Sequence, residues 1–198
     1  MNKTIKLIAI ILVAVLAFVG VYFLYKNLSG RFATDGLVTE KPQPDETIST
    51  ETGELQEYAY NPAPDFSVTD AQGNKIRLSD MKGKPVVLNF WATWCYYCTV
   101  EMPDFEEMYK KYGEDVQFMM VNLTDGKRET VDGAKKYISD KGYTFPVYFD
   151  TDSKAAIAYG ISGIPATYFI DAEGNLIAWA NGMIDLELIE KGIEMIVE

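Results

Sequence analysis

The residues best suited to chemistry are the two cysteines, Cys95 and Cys98, which form a Cys-x-x-Cys motif. They follow an apolar run, Pro85–Phe90, that is typical of a buried strand, and a helical pattern follows them. A cysteine at the start of a helix meets free backbone N–H groups and the positive end of the helix dipole, which stabilise a thiolate. The placement predicts thiol–disulfide exchange, with Cys95 as the exposed attacking thiol and Cys98 as the buried resolving thiol.

The sequence gives less support to a structural disulfide or a zinc site at the cysteine pair. A disulfide that closes a four-residue loop stabilises the folded state by only about 2 kcal/mol, through the loss of chain entropy in the unfolded state. A structural zinc site needs four ligands, whereas the sequence offers no further cysteine and no histidine. The lack of histidine also excludes Cys–His and Ser–His catalysis. We therefore predict an enzyme with no metal and no cofactor.

The charge balance argues against nucleic acid as a partner. The chain has 29 acidic and 18 basic residues, for a net charge of −11. Binding to phosphates requires clustered Lys and Arg, but the arginines, Arg31, Arg77 and Arg128, are few and scattered in the sequence.

Residues 1–26 are predicted to be a single transmembrane anchor. The apolar run Leu7–Tyr25 has a length of roughly 28 Å as a helix, close to the thickness of a hydrocarbon core. A cleaved signal peptide is the alternative, but its apolar region is shorter and ends in a small-x-small site. Lys3 and Lys6 precede the run, which favours a cytoplasmic N-terminus and an extracytoplasmic domain at the cell membrane.

Residues 27–61 are predicted to be an acidic, flexible linker. From Asp35 to Glu57 there are seven acids and one base, with few large apolar side chains. Such a segment cannot bury enough surface to offset its ordering entropy. Its expected role is to hold the domain away from the membrane.

Residues 62–198 alternate predicted strands and helices, which indicates an α/β domain with a mixed central sheet. Two hairpins are expected around turn-rich loops, at Asp65–Leu78 and Ala166–Trp179. Further strands are expected at Pro85–Phe90, Val116–Val121 and Phe145–Phe149, and helices at Met102–Tyr112, Glu129–Lys141, Ser153–Tyr159 and Leu186–Ile196.

From about Ala63 onward the chain resembles the TlpA/ResA-like branch of the thioredoxin superfamily. The matching pieces are Ala63–Phe66, Leu78–Lys84, Asn89–Cys98 and Tyr159–Pro165, in this order. The resemblance implies a thioredoxin-like fold with an N-terminal hairpin extension, an inserted helix at about 129–141 and a redox-active Cys95–Cys98 disulfide. It also implies that Pro165 is a cis-proline facing the dithiol and that Ile164 pairs with the partner's backbone. Trp94, Tyr96 and Tyr97 are further candidates for partner binding, although the tyrosines also suit a helix cap.

Proton handling is expected to fall to Glu101. Thioredoxins place a buried Asp on the strand before the motif, but this chain has Asn89, which cannot titrate. The TlpA/ResA-like branch instead has a Glu three residues after the second cysteine, and Glu101 stands there. Residues three apart share one helix face, so Glu101 is expected near Cys98 with a raised pKa. An ordinary surface Glu is the alternative.

The dipeptide Tyr96-Tyr97 supplies no positive charge between the cysteines. Because the thiolate gains less stabilisation, we predict a reductant, with a potential nearer thioredoxin's (about −270 mV) than DsbA's (about −120 mV). The resemblance implies extracytoplasmic clients, such as apocytochrome c during cytochrome c maturation or methionine sulfoxide reductases. It also implies electrons from a membrane dithiol carrier of the CcdA type.

Three rival functions share the scaffold. A thiol peroxidase needs a Thr three residues before the cysteine and an Arg in the pocket, whereas Thr93 stands two before Cys95. No arginine lies between Arg77 and Arg128 in the sequence. A metallochaperone of the related extracytoplasmic type adds a distant His, which this chain lacks. A non-catalytic adaptor would have no need of the intact dithiol.

Overall fold

The computed structural model of the protein describes residues 54–197. Its strands are β1 (Gln56–Pro62), β2 (Ser67–Thr69), β3 (Lys75–Arg77), β4 (Val86–Trp91), β5 (Gln117–Asn122), β6 (Val147–Phe149), β7 (Ala166–Ile170) and β8 (Asn175–Asn181). Its helices are α1 (Tyr96–Tyr112), α2 (Val131–Lys141), α3 (Lys154–Ala158) and α4 (Leu186–Val197), with a 3-10 turn at Leu78–Met81. Within these residues no helix is both long and apolar enough to cross a bilayer. The predicted anchor, 1–26, and the linker up to residue 53 lie outside the described residues.

The strands form one mixed sheet in the order β1-β8-β7-β4-β5-β6-β2-β3. β4 is central: it pairs parallel with β5 and antiparallel with β7. All six residues of β4 are buried, as expected for a strand covered on both faces. The predicted α/β architecture with a mixed central sheet and two hairpins is confirmed.

Two hydrophobic clusters cover the two faces of the sheet. Because side chains alternate along a strand, Val87 and Trp91 of β4 enter one cluster while Leu88 and Phe90 enter the other. The first cluster joins the sheet to α1, α2 and α4. The second joins it to the β2–β3 hairpin and to α3. The face covered by α1 is the one that carries the cysteines.

The structure differs from the predicted elements at two places that matter for the site. The helical spacing was seen from Met102, but α1 begins at Tyr96, where the predicted place of the motif at a helix start requires it, and Cys95 caps it. β1 pairs antiparallel with β8, although residues 56–61 were expected in the linker. This strand has one acid, Glu57, and was assigned to the linker because it directly follows the acidic tract that begins at Asp35. Its backbone hydrogen bonds to β8 extend the sheet edge.

Gly192 of α4 gives a test of how tightly the helices pack on the sheet. A Cβ at this position would lie 2.3 Å from Cε1 of Phe169, a fully buried residue of β7. We expect Gly192→Ala to lower the free energy of unfolding by about 2 kcal/mol, because overpacking outweighs the gain in helix propensity. Denaturant unfolding measures this change. Glu194→Ala, at an exposed position of the same helix, is the control and should change stability by less than about 0.5 kcal/mol. A Gly192→Ala protein as stable as the parent would contradict the packing described.

Candidate functional site

The two cysteines lie where β4 ends and α1 begins. Cys95 is the N-cap residue of α1, and its Sγ accepts a hydrogen bond from the backbone N–H of Cys98 at 3.2 Å. The two sulfurs are joined as a disulfide in this structure. The predicted position of the motif at a helix N-terminus is therefore confirmed. After reduction, the N–H of Cys98 and the positive end of the helix dipole favour the Cys95 thiolate.

The two sulfurs differ in access, and this sets their roles. Cys95 keeps 6% of its surface exposed and Cys98 none. Cys95 is thus buried, which corrects the expectation of an exposed thiol, but it is the less enclosed of the two cysteines. Cys98 is enclosed by the hydrophobic cluster beneath α1. This order agrees with Cys95 as nucleophile and Cys98 as resolving thiol.

A cis peptide bond, Ile164–Pro165, faces the disulfide. The Sγ of Cys95 lies 3.6 Å from the carbonyl oxygen of Ile164. The predicted cis-proline and its position opposite the dithiol are both confirmed. The short turn before β7 therefore brings the Ile164 backbone next to Sγ of Cys95.

Glu101 is buried, so the alternative of an ordinary surface Glu is wrong. Only 1% of its surface is exposed, and burial raises its pKa to about 8. Oε1 accepts from Nδ2 of Asn89 at 2.9 Å, and Oε2 accepts from the backbone N–H of Ile184 at 3.1 Å. These hydrogen bonds favour the carboxylate, and the nearby Asp104 favours the acid, but desolvation is the largest cause.

Asn89 links Glu101 to the sheet. Its Nδ2 also donates to Oγ1 of Thr167 on β7 at 3.0 Å, whereas its buried Oδ1 has no partner in the described part of the chain. Rotation of the amide would turn Oδ1 toward Glu101 and give a protonated carboxyl an acceptor. Asn89 therefore supports the titrating group without titrating itself.

The predicted aromatic surface surrounds the motif. Trp94, Tyr96 and Tyr97 are all exposed, and the two tyrosine rings contact each other edge to face at a centroid distance of 5.5 Å. Because the tyrosines project from the first turn into solvent, they form a surface beside Cys95 instead of a side-chain cap. The cap position belongs to Cys95 itself.

Sequence reasoning missed two residues at this site, Arg128 and Glu129, which follow β5. The guanidinium carbon of Arg128 lies 3.6 Å from the centroid of the Trp94 ring. Glu129 is only 2% exposed and accepts hydrogen bonds from the backbone N–H of Thr93 at 3.0 Å and from its hydroxyl at 2.6 Å. Their signal in the sequence is slight, because thirty or more positions separate them from the cysteines and only the β4–β5 pairing brings them together.

No group of three or more His, Cys, Asp or Glu side chains in residues 54–197 is arranged to hold a metal ion. The chemistry that the arrangement can perform is that of the two sulfurs and of Glu101. A first sulfur that is slightly exposed, a fully buried second sulfur and a nearby backbone segment suit thiol–disulfide exchange with another protein.

Comparison with known proteins also indicates thiol–disulfide exchange. The model of the AhpC/TSA family matches residues 59–179. The thiol-disulfide oxidoreductase ResA of Bacillus anthracis is 39% identical over 128 residues, which cover 65% of this chain and 72% of that protein. The exposed lipoprotein thioredoxin of Streptococcus pneumoniae is 33% identical, with a TM-score of 0.58, and the match covers 66% of this chain and 98% of that one.

A thiol:disulfide interchange protein of the thioredoxin family from Chlorobium tepidum is 27% identical, with a TM-score of 0.62, and the match covers 72% of this chain and 100% of that one. These likenesses confirm the thioredoxin-like fold inferred from the sequence motifs. Together with the disulfide at the start of α1, they show that the chain belongs to the AhpC/TSA family and is a thiol–disulfide oxidoreductase related to ResA.

Proposed function

We propose that this oxidoreductase works as a reductant of disulfides in extracytoplasmic partner proteins and is held at the cell membrane by residues 1–26. The observation that carries the proposal is the unequal pair of sulfurs beside the Ile164 backbone. A partner strand that pairs with this backbone would bring its own disulfide to Cys95. The apolar run Leu7–Tyr25 supports the membrane anchor.

The exchange takes place in two steps. The Cys95 thiolate attacks one sulfur of the partner disulfide, which forms a mixed disulfide and releases the other partner sulfur as a thiolate. The Cys98 thiolate then attacks Sγ of Cys95, which re-forms the Cys95–Cys98 disulfide and releases the second partner sulfur. The partner gains two electrons and, after protonation, two thiols. A membrane dithiol carrier of the CcdA type would return two electrons to this chain.

Glu101 is the proton acceptor that we assign to the second step. Cys98 and Glu101 lie three residues apart on α1, so they share one face of the helix, and both are buried. A carboxyl with a pKa of about 8 matches a thiol with an ordinary pKa of about 8.5. Proton transfer between two such groups costs little, and efficient general bases have pKa values near the working pH.

The thiol peroxidase alternative is less well supported by the geometry. The hydroxyl of Thr93 donates to the buried carboxylate of Glu129, so it is engaged away from any substrate at Cys95. An arginine does lie beside the motif, contrary to what the sequence spacing suggested, but Arg128 stacks on the Trp94 ring. The metallochaperone alternative lacks a cluster of metal ligands in residues 54–197.

The direction of electron flow can be tested by a redox titration. We expect equilibration of the protein with glutathione to give a potential nearer about −270 mV than about −120 mV, because the motif has no cation between its cysteines. Trp fluorescence or thiol alkylation follows the equilibrium. A potential close to −120 mV would instead identify an oxidant.

Partner proteins can be trapped at the mixed disulfide. In Cys98→Ala the resolving sulfur is absent, so partners should stay covalently bound through Cys95 and be released by dithiothreitol. Cys95→Ala is the matched control and should trap none. Full-length protein in its native membrane should capture extracytoplasmic proteins with disulfides. Equal recovery from both variants would contradict the assigned roles of the two sulfurs.

The role of Glu101 predicts slower resolution in Glu101→Gln. We expect release of a preformed mixed disulfide to slow by about 100-fold, the typical effect of losing a general base, when followed by stopped-flow fluorescence. Glu107→Gln, at an exposed position of α1, is the control and should keep the parent rate. The fold should be retained, because rotation of Asn89 can match the amide of Gln. Equal rates in both variants would remove Glu101 from the mechanism.

Glu101→Gln should also change how the free energy of unfolding depends on pH. Between the unfolded pKa of about 4.5 and the folded value of about 8, the folded state of the parent holds the Glu101 proton and the unfolded state has lost it. The free energy of unfolding should therefore fall with rising pH across this window, by on the order of 1 kcal/mol per pH unit. Glu101→Gln in the disulfide form should show a correspondingly shallower decline. Parallel curves would mean that the pKa is not raised.

A further inference from the structure

The segment Leu123–Thr130, here called the Arg128 loop, joins β5 to α2 and packs against the residues that precede the cysteines. The backbone N–H of Leu123 donates to the carbonyl of Trp91 at 2.9 Å. Glu129 holds both the N–H and the hydroxyl of Thr93, and its Oε1 also accepts from Nδ2 of Asn122 at 2.7 Å. The loop is thus fixed to the motif by a buried carboxylate.

The backbone at Arg128 is also fixed from within the loop. Oδ1 of Asp125 accepts from the N–H groups of Lys127 at 2.7 Å, Arg128 at 2.8 Å and Glu129 at 3.0 Å. The N–H of Gly126 closes the turn onto the carbonyl of Glu129 at 2.9 Å. These bonds determine where the side chain of Arg128 leaves the loop. The guanidinium then lies over the face of Trp94, which is 42% exposed.

The positive charge of Arg128 has no acidic partner in the described part of the chain. By contrast, Arg77 forms an ion pair with Asp65, and Lys111 with Glu190. Stacking uses the face of the guanidinium and leaves the in-plane N–H groups along its edge free to donate. An unpaired cation beside the redox motif favours an acidic group of the partner at this point, where it offsets the repulsion expected from the protein's net charge of −11.

We propose that Arg128 is a specificity-determining residue of the partner-binding surface. It binds a carboxylate, from an Asp or Glu within a few residues of the partner's oxidised cysteine, while Trp94 and the two tyrosines contact the apolar parts of the same segment. The inference rests on the proposed reduction of protein disulfides and adds the chemistry of the partner. It predicts a preference for acidic segments over neutral or basic ones.

Three disulfide-bonded peptides test the preference. They are identical except for two residues that flank one cysteine, which are acidic, amide or basic. The rate constant for reduction by the full-length dithiol protein is measured by stopped flow in low salt. We expect the parent to reduce the acidic peptide about fivefold faster than the amide peptide, the upper range for one exposed ion pair, and the basic peptide more slowly still. Added salt to about 1 M should remove most of the difference.

Two variants assign the preference to Arg128. Arg128→Gln should reduce the ratio of acidic to amide rates to about one. Lys127→Gln removes the same charge from the neighbouring exposed position, which does not stack on Trp94, and should keep the parent ratio. A parent that reduces acidic and amide peptides equally would overturn the inference and leave the proposed function standing. Equal slowing of all three peptides by Arg128→Gln would also overturn it, because the residue would then act on Cys95 or on the loop. Failure of the parent to reduce any peptide would instead reject the proposed function, and the inference with it.

Discussion

The pairing of β4 with both β5 and β7 is the constraint on which the site depends. Phe90 near the end of β4 lies opposite Ala166 at the start of β7. The antiparallel register therefore brings the Ile164–Pro165 turn to the end of β4, where α1 begins. On the other side of β4, the parallel strand β5 ends at the same level and leads into the Arg128 loop. Three segments far apart in sequence therefore meet around Cys95 because their strands are hydrogen-bonded neighbours.

Two acidic side chains, Glu101 and Glu129, are buried near the end of β4, and their surroundings differ. Glu129 accepts three hydrogen bonds, two from Thr93 and one from Asn122, and so fixes the Arg128 loop to the motif. Glu101 accepts two, and desolvation raises its pKa to about 8. Burying either group costs free energy that an apolar residue would not require. Glu129 therefore holds the loop in place, whereas Glu101 can bind and release a proton.

Much of the fold and the centre of the site could be predicted from local sequence. The apolar run before Cys95, the helical spacing after it and the turn-rich hairpin loops are all local signals. Glu101 and Pro165 were identified through the resemblance to a family. β1 was missed because it directly follows an acidic tract that resembles a linker, and because its strand conformation depends on pairing with β8. Arg128 and Glu129 were missed because their contacts with Trp94 and Thr93 arise only when β5 lies beside β4.

The hydrogen bond between Asn89 and Glu101 also explains why this chain has an amide where thioredoxins have an acid. Nδ2 of Asn89 lies 2.9 Å from Oε1 of Glu101 in a site with no exposed surface at Asn89. An aspartate there would put two carboxyl groups at hydrogen-bonding distance, and two such groups cannot both ionise away from water. They would share a single proton, and neither would then behave as an independent base. An acid on the strand and an acid on the helix are thus mutually exclusive solutions within this framework, and an amide at position 89 commits the chain to the second.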